Sequence, residues 1–254
     1  MLGWLEKRLI YRPWPHFVVA ASDLRRPWED VSFQSLDGTP LFGWFFPADP
    51  NPSQRRRVLL LLHGNAGNIS HRLFYYRAWL GLGLDVFTFD YRGYGCSAGK
   101  PGEHGTYSDA QAAYRWLVAR GYTPEQILVL GKSLGGGPAS ELAIREKIGA
   151  LILQSTFTSI PDLGRELYPW LPLRWLNTIR YDTRTKLEQI KAPVLVMHSR
   201  QDGLIGFHHA ERNFAAAREP KMLWELSGDH NRTLEADYPR YLEGLQRFLA
   251  RLED

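Results

Sequence analysis

Six short apolar runs, at residues 58–62, 86–89, 127–130, 151–153, 194–197 and 222–226, alternate along this chain with segments whose apolar residues recur at helical spacing. The runs are too short for helices and are bounded by Gly, Asp, Ser or Pro. The helix-period segments fall at about residues 71–82, 107–120, 138–146, 207–217 and 238–252. Strands without a polar face must be covered on both sides, so the alternation predicts an α/β fold: a mostly parallel central sheet with helices on both faces. Residues 31–47 read differently. Val31, Phe33, Leu41 and Trp44 flank Asp37-Gly38, a pair suited to the backbone angles of a tight turn, which predicts an N-terminal antiparallel hairpin.

Residues 155–191 break the rhythm. They carry Phe157, Leu167, Tyr168, Trp170, Leu171 and Trp175 without a clear strand, and are expected to form a short helical insertion over the sheet, a lid. No repeat, low-complexity stretch or Ser/Gly linker divides the 254 residues, so residues 1–254 read as one domain with an N-terminal segment at 1–30. Glu6, Lys7 and Arg8 interrupt the apolar start of that segment, well short of a signal sequence or a membrane span. It reads as a short amphipathic helix resting on a membrane surface or on its own domain. The net charge of +4 is dispersed, and its densest run, Arg55-Arg56-Arg57, marks a solvated loop rather than a nucleic-acid site. A single cysteine, Cys96, excludes an intrachain disulfide framework and fits a cytoplasmic setting.

In an open parallel sheet, ligands gather beyond the carboxyl ends of the strands. Two such ends carry Gly-x-Ser-x-Gly. Gly95-Cys96-Ser97-Ala98-Gly99 is followed by Lys100-Pro101-Gly102, so no helix can start where a nucleophile elbow needs one, and this copy reads as structural. Gly131-Lys132-Ser133-Leu134-Gly135 has a strand before it and, from Pro138, a helix after it. That context would expose the Ser133 hydroxyl at a helix N-terminus, where backbone N–H groups favour developing negative charge. The loop at residues 63–68, His-Gly-Asn-Ala-Gly-Asn, follows the first parallel strand. It would offer the N–H of Asn65 beside that of Leu134 as an oxyanion hole, with the Asn side chains holding the loop in shape.

A serine on such an elbow takes its partners in the order Ser, acid, His. That order removes His16, His63, His71 and His104, and leaves His198, His208, His209 and His230. Asp202 follows the strand at 194–197 and His230 the strand at 222–226, both at ends that converge on Ser133. His208 and His209 fall at a helix start, where a solvated or capping role is expected; Asp229 is too close in sequence to His230 to orient its ring; Asp162 and Asp182 belong to the insertion.

Together, residues 63–68, Phe89-Asp-Tyr-Arg-Gly-Tyr-Gly95, Gly131-Lys-Ser-Leu-Gly-Gly136, Asp202 and Gly228-Asp-His230 resemble the α/β-hydrolase superfamily of serine hydrolases. Within it they look like the subgroup of protein depalmitoylases and bacterial membrane-linked esterase-like proteins. The likeness runs from about Val31 to the C-terminus. It departs from the pattern in three respects: the N-terminal anchor is absent or trimmed, an N-terminal cysteine cluster is missing, and the acid loop reads His198-Ser-Arg-Gln-Asp202 where many relatives have His-Gly. The anchor question leaves peripheral membrane contact through the N-terminal segment open.

The expectation is a serine carboxylesterase acting on small acyl esters of short to medium chain through a Ser133-Asp202-His230 triad and an acyl-enzyme, with neither metal nor organic cofactor required. Phe157, Tyr168, Trp170, Leu171 and Trp175 would line the acyl site. An acyl-protein thioesterase or an aminopeptidase or amidase would share the triad, and a non-catalytic protein could keep the fold as a binding pocket.

Overall fold

The hairpin is formed by β1 (Glu29–Gln34) and β2 (Pro40–Phe46), antiparallel, with Val31 opposite Gly43 and Phe33 opposite Leu41. Its turn is held by Asp37, whose Oδ1 accepts from the N–H and hydroxyl of Thr39, and by Gly38 at φ +81°. The computed structural model of the protein describes residues 7–50, 55–170 and 178–253. Antiparallel to β2 runs β4 (Leu84–Asp90), which pairs in parallel with β3 (Arg57–Leu62). The parallel strands continue through β5 (Ile127–Lys132), β6 (Ala150–Gln154), β7 (Val194–Ser199) and β8 (Lys221–Leu226), in the spatial order β8-β7-β6-β5-β3-β4-β2-β1. This is the α/β-hydrolase fold, with a mostly parallel central sheet, helices on both faces and a short helical insertion.

Every residue of β3, β4, β5, β6 and β7 is buried. Successive side chains of a strand point to opposite faces, and the core divides accordingly. Leu60, Leu62 and Val129 face one layer, packed by helices α2 (Glu103–Ala119), α3 (Gly136–Arg145), α5 (Thr183–Leu187) and α6 (Phe207–Ala216). Leu59, Leu61, Leu128 and Leu130 face the other, covered by α1 (Leu73–Gly81) and α8 (Tyr238–Ala250). Truncating one of these leucines to Ala typically costs about 2–5 kcal/mol. Arg57 does not belong to a solvated loop: it opens β3, is buried, and reaches Leu252 O at 3.4 Å.

From residue 7 on, the N-terminal segment packs against the sheet-and-helix core. After helical residues 7–10 the chain makes a two-residue parallel bridge, Arg12 with Ala66 and Pro13 with Gly67. Tyr11 is buried with its hydroxyl 2.8 Å from that of Tyr181. The insertion contributes α4 (Ile160–Leu167), whose N-cap Ser159 accepts from the Asp162 N–H. Short α7 (Thr233–Ala236) follows β8. Among the described residues, no helix is long and apolar enough to cross a membrane.

Candidate active site

The chain leaves β3 toward β4 on one side and then returns to place β5 on the other, so β3 and β5 are neighbours at a topological switch point. Loops from such neighbours diverge at their carboxyl ends and leave a crevice. The loop after β3 carries Asn65, and the turn after β5 carries Ser133.

Ser133 has φ +52°, a left-handed conformation that strains a residue with a Cβ. Its neighbours must be glycine for a steric reason. A Cβ on Gly135 would collide with the carbonyl oxygen of Leu62, and one on Gly131 with the Gly135 carbonyl and Ala139. The chain passes through one 3₁₀ turn, Ser133–Gly135, into α3, and Thr156 Oγ1 donates to Ser133 O at 2.7 Å. The other Gly-x-Ser-x-Gly copy behaves differently. Ser97 Oγ donates to Asp90 O at 2.6 Å and accepts from Phe42 N–H at 2.9 Å, stitching β4 to β2, while Cys96 is exposed.

Three predicted residues converge. His230, from the loop after β8, has Nε2 3.0 Å from Ser133 Oγ and Nδ1 2.7 Å from Asp202 Oδ2. Asp202, from the loop after β7, accepts on Oδ1 from the N–H groups of Leu204 and Ile205, at 3.0 and 2.9 Å. Burial alone would push its carboxyl up, but hydrogen bonds to His198 and His230, then the Ile205 N–H, outweigh it and hold the group well below the usual carboxylate range. Asp202 is thus a fixed anion whose acceptor oxygen requires a proton on His230 Nδ1, leaving Nε2 to accept from the serine. Asp229 instead accepts from the N–H groups of Asn231 and Arg232 in its own turn, and Asp182 caps α5.

A cavity of about 360 Å³ opens over Ser133 and His230. Asn65 and Leu134 both line it. The Asn65 side chain donates to Ile10 O, and that of Asn68 donates to Trp14 O and His16 O, so both amides tie the loop to the N-terminal segment. Phe157, Ile160, Leu163, Leu167, Leu204 and Ile205 supply an apolar wall.

Of the predicted acyl-site residues, Phe157 and Tyr168 line this cavity. Trp170 does not: it is 75% exposed and meets the Tyr168 ring edge-on, beyond the cavity wall. Leu171 and Trp175 lie outside the described residues. The lining also holds residues that motif reasoning passed over: Leu9, Ile10 and Arg12 from the N-terminal segment, Arg72 from the turn before α1, and Lys132 from the elbow itself. Burial first, then the charge of Arg72, pushes the Lys132 ammonium down to about 8.

Among the described residues, Glu166, His208 and His209 are the one group whose ligand atoms could surround an ion. His209 is buried rather than solvated, because its face of α6 packs beneath the insertion. Its Nδ1 accepts from the Thr158 N–H at 3.1 Å, so in the neutral ring Nε2 carries the proton, 3.1 Å from Glu166 Oε2. These partners make the trio a hydrogen-bonded tie between α4 and α6.

Residues 57–188 match the model of a family described as alpha/beta hydrolase fold. The chain is similar to an uncharacterized protein of Mycobacterium tuberculosis, 39% identical over 246 residues spanning 96% of this chain and 87% of that one. It is also similar to the alpha/beta hydrolase domain-containing protein WAV2 of Arabidopsis thaliana, 35% identical over 245 residues, 87% of this chain and 79% of that one. Its fold matches that of an esterase of Pyrococcus furiosus with a TM-score of 0.77 at 21% identity, over 94% of this chain and 98% of the other.

Proposed function

The chain belongs to the α/β-hydrolase family, and on that premise we propose that it is a serine hydrolase cleaving carboxylic esters of short to medium acyl chain. The observation that carries this reading is the unbroken hydrogen-bond relay Ser133 Oγ, His230 Nε2, His230 Nδ1, Asp202 Oδ2, ending on the floor of a cavity with an apolar wall.

As Ser133 Oγ attacks the carbonyl carbon, His230 Nε2 takes its proton, and Asp202 stabilises the imidazolium so formed. The N–H groups of Asn65 and Leu134 hold the oxygen that becomes negative, a contribution of about 3 kcal/mol per donor in comparable sites. The acyl C–O bond then breaks and the leaving oxygen receives the proton from His230. Water, deprotonated by the same nitrogen, releases the acid and regenerates the serine. A volume of about 360 Å³ is at the small end for ligand pockets, which favours short and medium chains.

Labelling with a fluorophosphonate probe and turnover of a 4-nitrophenyl ester series test the reading. Both are expected in the native chain and absent in Ser133→Ala. Undiminished labelling of that variant would overturn it.

A further inference from the structure

Part of the cavity wall is cationic. Arg12, Arg72 and Lys132 all line it, and none of them pairs with a carboxylate among the described residues. Lys132 is only 5% exposed, and its ammonium has one protein acceptor, His230 O, at the long distance of 3.4 Å, with the face of Tyr75 5.6 Å away. Arg72 donates one Nη2 bond to Ala66 O, while its Nε is buried without a partner. Charges held out of water without counter-charges are costly, and buried ones are ordinarily paired. Of the three, Lys132 alone is held out of water, Arg72 is half-buried and Arg12 exposed, and Asp202, Glu235 and Asp229 act on Lys132 only from beyond ion-pair distance; a bound anion would be the close partner.

The same wall continues past the serine. Arg12, Ala66, Arg72, Lys132 and Asn231 also line a second cleft of about 460 Å³, which holds His71 and one carboxylate, Glu235. The two cavities therefore meet along the cations, with Ser133 on the side of the apolar lobe.

Resting on the serine-hydrolase reading, we propose that Arg12, Arg72 and Lys132 bind a phosphate or carboxylate carried on the leaving group of the ester, so that the substrates are amphiphiles with an apolar acyl chain and an anionic head. The acyl chain occupies the lobe of Phe157, Ile160 and Leu163, the scissile carbonyl lies over Ser133, and the head reaches the cationic wall. An anion there offsets the two influences that depress the Lys132 ammonium, burial and the charge of Arg72, and adds to the opposing pull of Asp202, Glu235 and Asp229. Arg72, whose guanidinium makes one hydrogen bond, to Ala66 O, supplies the directional bonds and Lys132 a point charge.

The test compares three octanoyl esters of matched chain: 1-octanoylglycerol, 1-octanoylglycerol 3-phosphate and the octanoyl ester of glyceric acid. In the native chain kcat/KM is expected to be roughly tenfold or more higher for at least one anionic ester than for the neutral one, in keeping with charge-assisted hydrogen bonds. Arg72→Gln and Lys132→Met should each lower that ratio by roughly tenfold. Arg12→Gln, at an exposed position, should lower it as well, and keeps the test decisive where Lys132→Met fails to fold. Equal use of the neutral and anionic esters overturns the proposal. So does inhibition of 1-octanoylglycerol hydrolysis by inorganic phosphate without any preference for an anionic ester, since the wall would then hold a free anion. If no ester is hydrolysed and the fluorophosphonate does not label Ser133, the serine-hydrolase reading itself has failed; labelling and neutral turnover without anionic preference remove only the inference drawn here.

Discussion

His63 Nε2 lies 3.5 Å from Asp90 Oδ1, and both side chains are completely buried beneath the loop that carries Asn65. His63 Nδ1 is 2.7 Å from Gly64 O and must donate to it, so Nε2 is an acceptor. Two acceptors face one another unless the carboxyl is protonated. Burial pushes Asp90 up to about 7, against the lowering influence of the Ile69 N–H and Arg72. Burial and the charge of Arg72 likewise push His63 down to about 3, so the ring is neutral near pH 7.

A carboxyl whose folded pKa is raised contributes stability that is complete below the ordinary value of 3.8 and is lost as pH rises through about 7. Asp90→Asn removes the titrating proton; its amide oxygen can keep the Ile69 N–H bond while His63 Nε2 is left without a donor at every pH. Relative to the native chain, its Tm should therefore rise between pH 5 and pH 8, by the equivalent of about 1–3 kcal/mol. A Tm difference that stays flat across thermal melts in that range would remove the protonated-carboxyl account.

Asp202 makes four hydrogen-bonding approaches, from His198, His230 and two backbone N–H groups. Asp202→Asn should keep the fold and lower kcat on 4-nitrophenyl esters by on the order of 10⁴, because an amide at that point can turn the His230 tautomer the wrong way. His230→Ala should lose at least as much. A loss under tenfold in either would mean that the relay does not carry the proton.

Ser97 and Ser133 stand in identical motifs and should respond oppositely. Ser97→Ala leaves the Phe42 N–H without its acceptor and is expected to cost about 1–3 kcal/mol of stability with esterase activity retained. Ser133→Ala should remove activity with little change in stability. Denaturant unfolding and ester turnover measured on both variants check the pair.

Asp109, fully buried in α2, accepts from the Arg92 N–H and guanidinium, while the other edge of Arg92 holds Asp37 at the hairpin turn. Asp109→Ala leaves a largely buried guanidinium half-paired, and a destabilisation of about 3–5 kcal/mol is expected from urea unfolding. A change below 1 kcal/mol would show that Asp37 alone suffices.

Leu163 projects from α4 into the cavity. Leu163→Trp should fill part of it and shift the preferred acyl chain toward shorter lengths, with roughly tenfold loss on octanoyl and little on acetyl esters. An unchanged chain-length profile would place the acyl chain elsewhere.

Much of this was legible in the sequence because the constraints are local. The elbow requires a strand, two glycines and a helix within a dozen residues, and the buried strands leave unmistakable apolar runs. What escaped has no local signature. Arg12 reaches the cavity through a two-residue backbone bridge to Ala66, which has no periodicity to read. Lys132 occupies a position of the motif that any residue may fill, and only the packing around it makes the site cationic. Aromatic content marked the insertion but not its facing, so Tyr168 turned inward and Trp170 outward. A histidine pair at a helix start looked solvated until the insertion covered one of the two rings.

The bridge between Arg12 and Ala66 ties the loop of residues 63–68 to a strip of chain that precedes the whole sheet by sequence. That strip lies before residues 57–188, the part that matches the family model, and it furnishes Leu9, Ile10 and Arg12 to the cavity. Specificity can then diverge at the front of the chain while the catalytic core is held still: the strip packs against the core without forming part of its sheet, and exchanging it would reshape the mouth and charge of the pocket without touching a strand. A chain that kept these motifs and changed this strip would keep its chemistry and differ in what it admits.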